Sequence, residues 1–156
     1  MLIKPEFFPN IVDLVPHTGE MVMLHRVVSW HGREVVVAVD LTRPNVMADK
    51  NGRIPGYVAL EFMAQGIAVA GGLERRAQGK GPMIGLVLGA RKFQVLVSHF
   101  PTEGEMHVHV RETFAQNPVA VCDASITLGN ECLARGEIKV TQPDSEEIIR
   151  KLLRER

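Results

Sequence analysis

The stretch IPGYVALEFMAQG, residues 54–66, decides how the rest of the chain is read. Proline and glycine open it, and apolar residues then recur on nearly every side. It reads as the front half of a helix from about Gly56 to about Gln78, closed by the basic and glycine-bearing RRAQGKGP. A helix apolar on most faces must be covered on most faces, and a curved sheet wrapped around it does this. Glu61 and Gln65 interrupt the apolar run. Four apart on a helix, they share a face, so the Gln65 amide can donate to the Glu61 carboxylate and fix its rotamer. That is how a positioned acid or base is held. The structural alternative is a Glu61 paired with an arginine across a subunit interface.

The flanking sequence supplies the sheet. MVMLHRVVSW (21–30) and REVVVAVDL (33–41) are β-branched runs separated by His-Gly, with Gly32 providing the positive φ of a tight hairpin. Residues 42–56 are rich in Pro, Asn, Asp and Gly, a length and composition typical of functional or mobile loops. After the helix, residues 83–97, 104–114, 118–129 and 131–140 all have strand composition, and Gly129-Asn130 makes the last hairpin turn. Pro143, Asp144 and Glu147 predict a capping-box start, with Asp144 as the cap, for a short amphipathic C-terminal helix. Two strands, one long helix and four strands give an α+β fold, a single domain over 1–156 with the helix laid across an antiparallel sheet.

Composition excludes several function classes. Lys plus Arg and Asp plus Glu are equal at 18 each, so no long-range field favours nucleic acid or an anionic membrane. Cys122 and Cys132 have neither the number nor the spacing of a disulfide framework or zinc site, and read as thiols in a reducing compartment. Charged residues and prolines break up the N-terminal segment, so no signal peptide is expected and the cytoplasm is the default location. Glu61, Gln65 and several glycines likewise argue for a core helix at 57–73 rather than a membrane span.

At the helix start, free backbone N–H groups and the positive dipole end converge at Gly56 and Tyr57, where an oxyanion can sit. Glu61 lies about one turn further in. A carbonyl group whose oxygen is bound there would therefore bring its neighbouring carbons toward the Glu61 carboxylate.

PGYVALEFMAQ (55–65) resembles the central-helix motif of the hotdog-fold 3-hydroxyacyl-acyl carrier protein dehydratases, and VPHTGEMVMLHRVV (15–28) resembles their N-terminal pattern. IGLVLGARKF (84–93) is similar to a divergent subgroup associated with aryl-polyene and related lipid-like pathways. The resemblance implies a hotdog fold, a long central helix wrapped by a curved antiparallel sheet of about five to six strands. It also implies a dimer with sites at the interface and no cofactor. Position by position, it makes Gly56 the oxyanion-hole backbone, Glu61 the catalytic carboxylate and Gln65 its orienter. The family's usual base, the histidine of a Gly-His-Phe-Pro-Gly stretch before the helix, is missing from PNVMADKNGR, and the Asp of an Asp-Arg-Val pattern is replaced by His25.

His17, in VPH, matches a family position and is the expected base, neutral imidazole near pH 7 suiting the work. The alternative is a histidine bonded to turn carbonyls. His25 is expected to pack or meet a carboxylate, and His31 to be solvated at the first hairpin. His107 and His109 share a strand face without a third metal ligand in spacing. His99 has no assigned use.

The implied reaction removes water from a 3-hydroxyacyl thioester. His17 takes the C2 proton, Gly56 and Tyr57 stabilise the enolate-like oxygen, and a Glu61 kept protonated by apolar surroundings protonates the departing hydroxyl. The acyl chain is expected to lie toward Phe62 and Met63. The thioester arrives on acyl carrier protein or coenzyme A, and Arg75, Arg76, Lys80, Arg91 and Lys92 are candidates for a rim that meets an acidic carrier. Two other readings remain: a hotdog thioesterase, and a non-catalytic acyl-binding or heterodimer-partner subunit. A homodimer is expected, with a heterologous dehydratase partner as the other arrangement.

Overall fold

A computed structural model describes residues 4, 7–143 and 145–155. Its elements are β1 (Arg26–His31), β2 (Glu34–Asp40), α1 (Ala59–Ala77), β3 (Leu86–Val95), β4 (Glu105–Gln116), β5 (Val119–Leu128), β6 (Glu131–Thr141) and α2 (Glu146–Arg154). The strands form one sheet in the order β1-β2-β4-β5-β6-β3, every neighbouring pair antiparallel.

Alternation along the strands builds the core. The register sets Val35, Val37 and Val39 of β2 beside Val110, Val108 and Met106 of β4, and these beside Ala124 and Ile126 of β5. All are buried, and α1 packs on the same three strands. From its side α1 contributes Ala59, Phe62, Met63, Val69 and Leu73, with Phe62 meeting Phe100 edge-on at a centroid distance of 5.4 Å. By length and composition the helix Gly56–Ala77 would also serve as a membrane span. Here it is the core helix, covered by the sheet as its apolar faces require.

Strand β1 begins at Arg26, five residues later than the composition suggests. Residues Gly19–Met21 form a 3-10 turn, and Met21 and Met23 give their backbone groups to Gln65 instead of to a neighbouring strand. The long connection before α1 is folded by its own side chains. Asn45 accepts from Met47 N–H at 2.8 Å, and Asp49 accepts from Asn51 and Arg53 N–H at 2.9 and 3.0 Å. At α2 the cap is Ser145, whose hydroxyl accepts from Ile148 N–H at 3.4 Å. Asp144, the expected cap, lies outside the described residues. One helix held against a six-stranded antiparallel sheet is the hotdog arrangement.

Candidate active site

Gln65 is the only side-chain amide buried in α1, fully enclosed and with three of its four hydrogen-bonding directions used. Its Oε1 accepts from Met23 N–H at 2.9 Å, and its Nε2 donates to the Met21 carbonyl at 2.6 Å and to Glu61 Oε1 at 2.8 Å. The helix is thereby tied to the segment that carries His17. From that segment, His17 Nε2 comes to 3.6 Å from the same Glu61 oxygen. The structure thus brings His17, Glu61 and Gln65 together across 44 residues of sequence between the first and second. His17 Nδ1 is buried with no hydrogen-bond partner among the described residues, so nothing there fixes the ring's tautomer.

His17 and Glu61 line a cleft of about 190 Å³. Its floor is the helix face below Glu61, Ala64, Ala68 and Gly71, and its opposite wall is formed by Met83, Leu86 and the end of β6. Phe62 and Met63, expected along the acyl chain, point into the core and are fully buried. The helical angle explains the correction: positions three, seven and ten beyond Glu61 share its face, whereas positions one and two do not. A stripe of small residues at that spacing is the signal in the sequence that marks the cleft.

The Glu61 side chain is not enclosed by an apolar wall as expected. It is 35% exposed, between the Gln65 amide and the His17 ring. Gly56 also differs from expectation. Its N–H donates to the Ser98 carbonyl at 2.8 Å, and a Cβ on it would stand 2.2 Å from the Val97 carbonyl oxygen. Gly56 is glycine because another stretch of chain approaches it, and its N–H is not available to an oxyanion. Val58 N–H is taken by the Pro55 carbonyl, while Tyr57 N–H makes no backbone bond among the described residues. Neither Gly56 nor Tyr57 lines the cleft within one chain.

The basic residues are dispersed. Arg75 donates Nε–H to the Gly81 carbonyl at 2.6 Å, closing the turn after α1. Arg91 pairs in register with Glu137, and Lys92 occupies a left-handed conformation, φ 51°, at a bulge in β3. None of Arg75, Arg76, Arg91 and Lys92 lines the Glu61 cleft.

Four of the other five histidines have local partners. His25 Nδ1 accepts from Asp40 N–H at 2.7 Å, and burial, with Arg43 nearby, holds its pKa below the ordinary value against the opposing pull of Asp40. His31 is exposed at the end of β1. His107 meets Glu105 at 3.0 Å and His109 meets Thr127 at 2.9 Å. His99, unassigned from sequence, faces Asp49 at 3.4 Å and bridges to Pro55, so it braces the loop that enters the helix. Burial, with Glu112, Asp123 and Glu74 around it, pushes the Cys122 thiol up to about 12, an inert thiol.

The sequence profile of the ApeP-like family, described as ApeP dehydratase, matches residues 9–151. No curated protein sequence matches the chain. Among solved structures, the dehydratase heterocomplex ApeI:P from Xenorhabdus doucetiae matches with a TM-score of 0.84 and 23% identity, covering 93% of this chain and 98% of that one. A hypothetical thioesterase protein with coenzyme A from Streptococcus pneumoniae matches with a TM-score of 0.55 and 14% identity, covering 75% and 84% of the two chains. A putative thioesterase from Shewanella oneidensis does so with 0.55 and 11%, covering 76% and 82%. At these identities the structural likeness is one of fold, shared by dehydratases and thioesterases alike. The profile is more specific, because it spans the His17 segment, the Glu61 helix and all six strands: the chain belongs to the ApeP-like dehydratase family.

Proposed function

We propose that the chain removes water from a 3-hydroxyacyl thioester to give the 2-enoyl thioester, with the acyl group carried on acyl carrier protein or coenzyme A. The setting is cytoplasmic fatty-acid or aryl-polyene-like lipid synthesis. The observation that carries this reading is the His17–Glu61 pair, 3.6 Å apart and lining one cleft. Dehydration needs one group to take the C2 proton and one to give a proton to the hydroxyl leaving C3. In this reading His17 takes and Glu61 gives, Gln65 fixes the carboxylate, and the proton returns from His17 to Glu61 across the short gap before the next turnover.

Tyr57 N–H is the oxyanion donor in this proposal, since Gly56 N–H is committed to Ser98. It lies outside the cleft of its own chain, so a second subunit completes the site. A homodimer is the simplest assembly. A dehydratase partner of another sequence is the alternative, supported by the naming of the similar ApeI:P structure as a heterocomplex. Arg76, Arg91 and Lys92 are the residues proposed to meet an acidic carrier, and Arg75 shares its guanidinium with the turn at Gly81.

The test is a mass-spectrometric assay of the purified protein with 3-hydroxyacyl thioesters on carrier protein and on coenzyme A. Loss of water is expected, with Glu61→Gln and His17→Ala each slower by roughly 100-fold or more, the usual worth of a positioned acid or base. Release of free acid and thiol would instead make it a thioesterase, the reading that the missing loop histidine also fits. A wild-type chain that is silent alone and active only with a second dehydratase subunit would be the partner subunit of a heterocomplex.

A further inference from the structure

The cleft below Glu61 does not end at its far wall. Ile67, Gly71, Val140 and Gln142 line it, and the same four residues line a second cavity of about 210 Å³. That cavity runs between the C-terminal half of α1 and the β4–β5 hairpin, against Trp30, Val110, Val119 and Cys122. The longest polar side chain among the four is that of Gln142, which follows β6. Its backbone N–H is fixed to the Pro118 carbonyl at 2.9 Å, while its side chain donates to the Met83 carbonyl at 3.1 Å. On the other side it faces Gly71, where an added Cβ would lie 3.4 Å from Gln142 Oε1. A glutamine held at its tip by one hydrogen bond, against a residue with no side chain, can swing aside without moving the backbone.

We propose that Gln142 is a gate that sets the length of acyl chain the protein accepts, an inference that rests on reading the Glu61 cleft as an acyl-thioester site. With the amide across the passage, the cleft alone is smaller than the roughly 300–1,000 Å³ of ordinary ligand pockets and takes a short chain. With the amide aside, the two cavities join and come within that range. The second cavity is apolar along Trp30, Ile67 and Val119, and its charged lining is three carboxyl groups, Glu34, Glu74 and Glu112, against one guanidinium, Arg33. Burial and the neighbouring Glu112 hold the Glu74 carboxyl above the usual carboxylate range, against Arg33. An uncharged chain end fits there, and one ending in a carboxylate is rejected.

Trp30 is the chain's single tryptophan and lines only the second of these two cavities, so its fluorescence reports arrival of a chain end. The probes are butyl, octyl and dodecyl thioethers of coenzyme A, which neither lose water nor hydrolyse, with calorimetry measuring affinity in parallel. The butyl thioether is expected to bind without altering Trp30 emission, and the dodecyl thioether to shift it, a response that Trp30→Phe removes. Gln142→Ala should bring the octyl thioether into the responding group and tighten dodecyl binding by about tenfold, the worth of a few more buried methylenes. Ile67→Phe, which narrows the passage without touching Gln142, should suppress the dodecyl response.

Dodecyl binding that leaves Trp30 unmoved, or an unchanged length profile in both variants, overturns the gate while the dehydratase reading stands. If no thioether binds, the gate is also overturned, and the dehydration assay then decides the fate of the function independently.

Discussion

A glutamine with every hydrogen-bonding direction but one spoken for is an expensive object to bury unless its partners are the purpose. Gln65 joins Met21, Met23 and Glu61, and so converts a helix position into the fastening of the His17 segment. Half of this was legible in the sequence: a spacing of four places Gln65 on Glu61. The other half was not, because Met21 and Met23 lie more than 40 residues upstream and no periodicity joins them to the helix. His17 came from resemblance, and Gly56 was misread for the same reason as Gln65 was half-read, its partner Ser98 lying 42 residues away. His25 shows a local partner that carries a testable consequence. Its Nδ1 must be unprotonated to accept from Asp40 N–H, and its folded pKa is lowered from 6.5 chiefly by burial. The unfolded chain therefore binds the proton more readily. The resulting stability is fully present above pH 6.5 and is lost as pH falls through the lowered folded value. His109, also lowered by burial and by His107, has the same sign. His25→Gln keeps an acceptor but does not titrate, so its melting temperature should fall less steeply below pH 6.5 than that of the wild type. Parallel slopes in thermal melts would show that His25 does not contribute.

At the scale of the element, α1 contains two neighbouring glycines with opposite environments. Gly72 lies against the N-terminal segment, where an added Cβ would meet the Leu14 carbonyl oxygen at 1.9 Å; at Gly71 the nearest atom is the Gln142 side chain at 3.4 Å. Glycine in a helix costs about 1 kcal/mol relative to alanine, so both positions look equally improvable from sequence. Gly71→Ala should recover up to about 1 kcal/mol, whereas Gly72→Ala should lose roughly 1–3 kcal/mol as backbone is forced apart. Chemical denaturation of the two variants reads the difference, and equal shifts would mean that the Leu14 segment yields freely. The helix itself, its ends and its all-round apolarity were legible, because they depend on local composition. Which face meets Leu14, and which carries the small-residue stripe under Glu61, depends on what the chain folds against. The strands follow the same division. Their alternation was readable, but the start of β1 was not, because the 3-10 turn at Gly19–Met21 and the bonds to Gln65 end it early.

For the whole molecule, the order β1-β2-β4-β5-β6-β3 leaves β3 at an edge, a position that strand composition does not reveal. Alternate residues of the ten-residue β3 then present unpaired backbone groups on its open side, and Val87 and Leu88 are 41% and 53% exposed. Ile84 and Leu96 extend the apolar surface beyond its ends, at 42% and 53%. A long apolar edge of this kind invites pairing with another strand unless charge or shape prevents it. The β3–β6 register is broken in both halves, between Val87 and Gly89 and between Arg91 and Gln94, but charge, from Arg91 and Lys92, guards only the second. The proposed second subunit is thus expected on β3, where it would also bring a Tyr57 N–H to the cleft that lacks one. Leu88→Lys places a charge in the unguarded half without disturbing the core, so light scattering should report the mass of one chain in place of two. If the site is shared, dehydration should fall together with the mass, although His17 and Glu61 belong to the same chain and stay paired. A Leu88→Lys monomer with full activity would show that one chain holds the complete site, and the oxyanion donor would then have to be sought within the cleft's own walls.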